Sequence, residues 1–109
     1  MNYSLHILPR AENDFLQMFA FIEERSPAGA EAWRHAFEAG LKRLRENPFI
    51  HGLAPEDVHF DFELRQLLFK TTHGRTYRVV YRVDDNVVTI YRVRGPGQAP
   101  LKPDEMPPG

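Results

Sequence analysis

Residues 64–95 read LRQLLFKTTHGRTYRVVYRVDDNVVTIYRVRG and decide the fold. Three runs rich in β-branched and aromatic residues lie in or at the edge of this stretch, at 62–70, 76–83 and 87–94. Such runs favour strands, and the short breaks at His73-Gly74 and Asp84-Asp85-Asn86 favour tight turns. Because strands joined by tight turns are antiparallel neighbours, the stretch predicts a three-stranded meander.

Two amphipathic helices are predicted upstream of the meander. Between Arg10 and Arg25, apolar residues recur at the three- and four-residue spacing of one buried helical face; they are Ala11, Phe15, Met18, Phe19 and Ile22. Ser26-Pro27 then offers an N-cap hydroxyl followed by proline at the first helical position. The apolar stripe of the second helix is Ala30, Trp33, Phe37, Leu41 and Leu44. Asn47-Pro48 ends it, so the pair predicts an antiparallel helix hairpin.

The remaining segments complete the fold prediction. Tyr3–Leu8 is predicted as a first strand at a sheet edge, and residues 49–61 as a connecting loop with room for one helical turn. The sequence therefore predicts an α+β domain of order βααβββ over residues 1–95, with the hairpin packed on one face of a mainly antiparallel four-stranded sheet. Residues 96–109, rich in proline and glycine, are predicted to be a mobile tail without elements.

Composition limits the possible functions. The 109 residues fit one domain, and the absence of cysteine excludes disulfides, thiolate nucleophiles and Cys-ligated zinc. The five histidines have no metal-ligand spacing, and no glycine-rich phosphate loop is present, so no metal and no cofactor are expected. We find no signal peptide and no apolar run near the roughly 20 residues that span a bilayer. A soluble, cytoplasmic protein is expected, with no membrane partner.

Charge is segregated along the chain. Residues 64–95 hold seven basic and two acidic side chains, whereas the first 63 residues hold six basic and eleven acidic ones, for a net charge of −1 overall. Strand alternation places Arg78 and Arg82 on one face with Val80, and the apolar Tyr/Val series, which includes Tyr77 and Tyr81, on the face toward the helices. The meander can therefore present a basic face to an anion while the rest of the chain is acidic.

The register of the last hairpin decides where Arg92 and Arg94 lie. A two-residue turn at Asp85-Asn86 would put them on the side of Tyr77 and Tyr81, and one more loop residue would reverse that. Guanidinium groups on an open sheet face bind phosphates or carboxylates, and neighbouring tyrosines can stack on bases. The candidate functional residues are Arg65, Arg78, Arg82, Arg92 and Arg94, with Tyr77 and Tyr81 as weaker members. Alternatively, the arginines are ordinary solvated residues.

The order of these motifs resembles a known family. A strand, a helix hairpin ending in LRENP, a loop, ELRQLLF and then YRVVYRVDDNVVTIYRVRG resemble the RelE/ParE superfamily of toxin–antitoxin toxins, also called plasmid stabilisation proteins, from Leu5 to about Gly95. The chain looks closest to the ParE-like branch. The resemblance implies a small toxin that a cognate antitoxin neutralises, in a possible hetero-oligomer, by folding over the first helix and the last strands. ParE-like relatives bind DNA gyrase and trap its DNA-cleaved state.

The RelE-like branch implies a different function. Its members cleave mRNA in the ribosome with basic and aromatic residues on the sheet and the C-terminal segment. If the chain were such an endonuclease, Arg78, on the family's strand arginine, together with Arg65 and Arg82, would be the catalytic candidates. The basic residue or histidine expected after the last strand is replaced by Gly95-Pro96-Gly97-Gln98. The sequence therefore favours gyrase binding, with an mRNA endonuclease or a non-toxic antitoxin-binding module as the alternatives.

Overall fold

The computed structural model of the protein describes residues 2–106. The strands are β1 (Ser4–Ile7), β2 (Arg65–Phe69), β3 (Tyr77–Asp84) and β4 (Val87–Arg94), and the helices are α1 (Pro9–Arg25) and α2 (Pro27–Glu46). Two 3₁₀ turns, Pro55–His59 and Pro103–Glu105, follow α2 and β4 respectively. The predicted α+β fold of order βααβββ is confirmed.

The sheet has the strand order β1-β4-β3-β2. β2, β3 and β4 form the predicted antiparallel meander, and β1 lies at the edge, parallel to β4, with Ser4 opposite Val87. The parallel orientation is possible because the helix hairpin supplies the long connection that parallel strands need. The helix hairpin packs on the meander with α1 against β4 and α2 against β2.

The helix boundaries follow local chemistry. Pro9 and Pro27 occupy the first positions of their helices, where a missing N–H is tolerated. Ser26 caps α2, since its Oγ accepts a hydrogen bond from the backbone N–H of Gly29 at 2.9 Å. Within residues 2–106, neither helix combines the length and the apolar character needed to cross a membrane.

The main core lies between the helix hairpin and one face of the sheet. Its centre is aromatic: the ring of Phe15 lies 5.1 Å from that of Trp33 and 4.7 Å from that of Phe37, between centroids. Leu44, Tyr81 and Ile90 are completely buried around these rings. Trp33 is a core residue, as its place in the apolar stripe predicted.

A second core covers the opposite face of the sheet, so the prediction that this face is open was wrong. Its buried residues come from the loop after α2, from the sheet and from the chain after β4: Ala54, Leu64, Val80, Tyr91, Leu101 and Met106. The apolar residues of the loop and of the C-terminal segment follow no period, so sequence alone did not show that they pack together.

The chain after β4 turns back over the sheet. Gly95–Gln98 form a β-turn in which Pro96 precedes Gly97 at φ +78°, the positive angle that favours glycine, and the Gln98 N–H donates to the Gly95 carbonyl at 3.4 Å. The 3₁₀ turn at 103–105 corrects the expectation that no element persists here. We call residues 95–106 the C-terminal strap. The division of the chain at residue 95 and the mobility of the tail stay predictions, and residues 107–109 lie outside the described residues.

A β-bulge in β4 sets which arginines share a face. The turn at Asp85-Asn86 has two residues, which alone would have put Arg92 on the side of Tyr81. The register shifts, however: Tyr81 pairs with Ile90 while Val80 pairs with Arg92, so Tyr91 is an extra residue in β4. The expectation drawn from turn length was therefore wrong, and Arg92 and Arg94 lie on the face of Arg78 and Arg82.

Tyr81→Phe should destabilise the protein by about 1–2 kcal/mol, because the buried Pro48 carbonyl would lose its donor. The Tyr81 hydroxyl donates to that carbonyl at 2.6 Å, and burial raises the pKa of Tyr81 from 10.0 to about 12. A neutral hydroxyl favoured in this way stabilises the fold below pH 10, and its contribution is lost as the pH rises toward 12. Urea unfolding of wild type and variant at pH 8 and pH 11 measures both effects.

The matched control for this prediction is Tyr3→Phe, which removes a hydroxyl from a residue packed at the margin of the same core. It should leave the free energy of unfolding nearly unchanged. Equal stability of the Tyr81→Phe variant and wild type at pH 8 would show that the Pro48 carbonyl needs no partner from Tyr81.

Candidate functional site: an arginine face on the sheet

Four arginines lie on the sheet face opposite the helices, and we call them the arginine face: Arg78, Arg82, Arg92 and Arg94. Arg78 and Arg94 are directly opposite each other on β3 and β4, and Arg92 is opposite Val80. Like charges placed directly across two strands repel each other. The contacts that offset this repulsion therefore decide what the face can bind.

Arg78 forms a bidentate ion pair with Glu56. Its Nη1 and Nη2 donate to Glu56 Oε1 and Oε2 at 2.9 and 2.6 Å, and Glu56 is completely buried. Glu56 Oε2 also accepts the backbone N–H of Leu101 at 2.7 Å. Burial by itself raises the pKa of Glu56, but these hydrogen bonds hold it below its ordinary value. One carboxylate thus joins the first 3₁₀ turn, β3 and the C-terminal strap.

Arg92 is paired in the same manner with Asp14 on α1. Arg92 Nε and Nη2 donate to Asp14 Oδ2 and Oδ1 at 2.6 and 3.0 Å, and Nη1 donates to the Glu105 carbonyl at 2.6 Å. Asp14 Oδ2 also accepts the backbone N–H of Val93 at 3.0 Å. Since β1 ends at Ile7, Asp14 supplies the acceptor that a longer β1 would have given to β4.

Arg82 and Arg94 are less fully paired. Arg82 stacks on Phe62, with its guanidinium carbon 4.1 Å from the ring centre, and lies 3.9 Å from an Asp84 carboxylate oxygen. Arg94 Nη2 donates to the Ala99 carbonyl at 2.7 Å, while its buried Nε has no hydrogen-bond partner among the described residues. Burial, and then the positive charges of Arg92 and Arg78, lower the pKa of Arg94. Glu105 and Asp14 act on Arg94 in the opposite sense, but no carboxylate among residues 2–106 forms an ion pair with it.

The other three candidates face the helices, although Tyr77 also lines a cavity with Arg92 and Arg94. Arg65 pairs with Tyr81 across β2 and β3, and its Nη1 donates to the His51 carbonyl at 2.7 Å. Tyr77 packs in the main core, 5.4 Å from Trp33 between ring centroids, and Tyr81 is completely buried. The structure thus brings together four of the seven candidates, and their role in binding stays a prediction.

Sequence reasoning missed Asp14 and Glu56, the two acidic residues that organise this face. Asp14 had a signal, because it falls three residues after Ala11 and four before Met18, on the buried side of an otherwise apolar stripe. No sequence signal indicated Glu56, since the apolar residues of its loop follow no regular spacing. Among residues 2–106, no group of three or more His, Asp or Glu side chains could hold a metal ion.

The fold and the site define a class: a small α+β domain with a helix hairpin on one sheet face and a covered, carboxylate-paired arginine cluster on the other. The sequence profile of the family described as "ParE toxin of type II toxin-antitoxin system, parDE" matches residues 5–100. The chain belongs to this ParE toxin family, so the predicted resemblance is confirmed. Comparison with curated proteins gave no significant match.

A double-mutant cycle on Glu56 and Arg78 should show strong coupling. Glu56→Leu and Arg78→Met should each lower the free energy of unfolding by about 3–5 kcal/mol, because each leaves a buried charge unpaired. The double variant should lose less free energy of unfolding than the two single variants lose together, since no unpaired charge remains. Urea unfolding of the four proteins at pH 7 measures the coupling.

Glu31→Gln is the matched control for that cycle. It removes a carboxylate from an exposed pair with Arg34 on α2, and exposed pairs contribute little to stability. Its unfolding midpoint should equal that of wild type. Strictly additive losses in the Glu56/Arg78 cycle would show that the two side chains act independently, against the structure.

Proposed function

We propose that this ParE-family toxin acts by binding DNA gyrase and holding the enzyme on cleaved DNA, and that a cognate antitoxin neutralises it. Membership in a toxin–antitoxin family supports a toxic role and an antitoxin partner. The gyrase target is what resemblance to the ParE-like branch implies. This mode of action needs a protein-binding surface and no hydrolytic centre.

The pairing of Arg78 with Glu56 is the observation that carries the proposal. A nuclease needs cationic donors aimed at the phosphate oxygens on which charge develops in the transition state. Here both Nη groups of the strand arginine donate to a buried carboxylate, and Arg92 is engaged equally by Asp14. A turn, Gly95–Gln98, occupies the place of the expected acid or base after β4. These features favour contact with a protein over cleavage of RNA.

An exposed apolar patch on the loop after α2 offers a surface for such contact. Phe49, Ile50 and Leu53 are all exposed, and Ile50 is 67% accessible. Arg65 lies beside them, 5.5 Å from the Phe49 ring centre. Clustered apolar side chains next to an arginine are typical of protein interfaces. We assign the gyrase contact to this patch, which would give Arg65 a role in binding.

Purified protein should inhibit gyrase supercoiling and increase the amount of linear DNA after denaturation of the complexes. Ile50→Glu should weaken inhibition about tenfold or more, because a desolvated charge at the interface costs at least about 1.4 kcal/mol. The matched control is Val58→Glu, which adds the same charge at an 80% accessible valine outside the patch and should keep full inhibition. No inhibition at excess protein would refute the gyrase target, and full inhibition by Ile50→Glu would refute the assigned surface.

Induction in a bacterial host without antitoxin should produce DNA breaks while mRNA stays intact. The endonuclease alternative predicts the opposite, with codon-positioned mRNA cuts. Arg82→Ala is the appropriate variant for that alternative, since Arg82 is 29% accessible and is not tied to a buried carboxylate. Loss of mRNA cuts in this variant would establish the nuclease, and normal growth with neither lesion would establish an inactive module.

A further inference from the structure

A cavity of about 260 Å³ lies between α1 and the end of β4, and no step of the proposed gyrase action uses it. Its apolar lining includes Met18 and Phe21 from α1, with Val93 from β4. Its polar lining includes Arg94 and Gln98. The cavity therefore combines an apolar side with a polar end at the start of the C-terminal strap.

The polar end presents donors. Gln98 Oε1 accepts the Gly95 N–H, which fixes the amide orientation and leaves Nε2 as a donor. Arg94 contributes a guanidinium of which only Nη2 has a described partner, the Ala99 carbonyl. Asp14, the carboxylate in the lining, already accepts hydrogen bonds from Arg92 and Val93. The carboxylate of the lining is thus already engaged, whereas the buried Arg94 Nε has no hydrogen-bond partner among the described residues.

The charges around the cavity also favour the binding of an anion. Three guanidinium groups at this end of the sheet, those of Arg78, Arg92 and Arg94, face two buried carboxylates, those of Glu56 and Asp14. Among residues 2–106, Arg94, which lines the cavity, forms no ion pair within 4 Å, although the Glu105 carboxylate acts on it at longer range. An anion bound there would relieve repulsion among the three arginines and satisfy buried donors at once.

The apolar side determines what kind of anion fits. Phe21 is 57% accessible and lines the cavity together with Met18, and the Arg25 guanidinium carbon lies 3.9 Å from its ring centre. A bare phosphate would leave this surface exposed, whereas a carboxylate with a neighbouring apolar side chain would cover it. A peptide segment in which an acidic residue adjoins an apolar one has both groups.

We propose that this cavity binds an acidic residue and its apolar neighbour from the antitoxin, with Arg94 and Gln98 holding the carboxylate and Met18 and Phe21 holding the apolar group. The inference rests on membership in a toxin–antitoxin family and on the proposed neutralisation by an antitoxin. It does not depend on gyrase as the target.

The test is an NMR titration of the full-length, ¹⁵N-labelled protein with N-acetylphenylalanine, which has one carboxylate and one apolar ring. Saturable shifts are expected at the Arg94 Nε–H, the Gln98 side-chain amide and the backbone of Phe21. N-acetylphenylalaninamide, which lacks the charge, and inorganic phosphate, which lacks the ring, should each bind at least tenfold more weakly. Arg94→Gln should abolish the shifts, and Arg10→Gln, at an exposed arginine outside the cavity, should keep them.

Each other outcome overturns the proposal. Equal binding of the amide would show an apolar site without anion recognition, and equal binding of phosphate would show a general anion site suited to nucleic acid. Absence of saturable shifts would show no site. Arg94→Lys keeps the positive charge but loses the paired N–H donors of the guanidinium, so it should bind N-acetylphenylalanine weakly. Thermal unfolding of both Arg94 variants shows whether they are folded. Because no gyrase or antitoxin is present, failure here leaves the gyrase assay unaffected.

Discussion

The buried Glu56 carboxylate is the constraint on which the rest of the structure depends. A carboxylate removed from water costs several kcal/mol unless its partners satisfy it completely. Glu56 obtains them from two places, the Arg78 guanidinium on β3 and the Leu101 N–H of the C-terminal strap. The first 3₁₀ turn, the sheet and the strap therefore form together, because any one of them missing would leave a buried charge or donor unsatisfied. This is also why the second core closes over a face that alternation alone would have left open.

Asp14 is a second buried carboxylate whose hydrogen bonds join separate elements, in this case α1 and β4. It binds the Arg92 guanidinium and the Val93 N–H, and so fixes α1 against a strand edge that β1 is too short to cover. The bulge at Tyr91 makes this possible by turning Arg92 away from the main core. The positive charges of Arg92 and Arg78 are consequently offset by acidic residues that are distant in sequence, Asp14 in α1 and Glu56 in the loop. Within the arginine face, Arg94 is the member that forms no ion pair among residues 2–106.

Sequence patterns predicted the elements well because their causes are local. The helical period of Ala11 to Ile22, the Ser26-Pro27 cap and the Asn47-Pro48 stop each act within a few residues. The bulge could not be predicted, since Tyr91 is an extra residue only relative to its partner strand. The pairs Arg78–Glu56 and Arg92–Asp14 join residues 22 and 78 positions apart, and no spacing rule connects them. Residue type showed that arginines mattered here, but only the tertiary partners distinguish Arg94 from its neighbours.

These partners are the physical reason for proposing gyrase binding rather than RNA cleavage. A cation that a buried carboxylate already binds can take up little of the charge that develops on a phosphate during cleavage, since its electrostatic effect is largely cancelled at short range. Such pairs do stiffen the sheet, and a stiff sheet holds surface groups at fixed positions, which favours binding to a preorganised partner surface. Arg78 and Arg92 are therefore better understood as scaffold residues than as parts of a reaction centre. The two proposed contact surfaces, the exposed loop patch and the cavity beside Arg94, lie on different elements and can be altered one at a time.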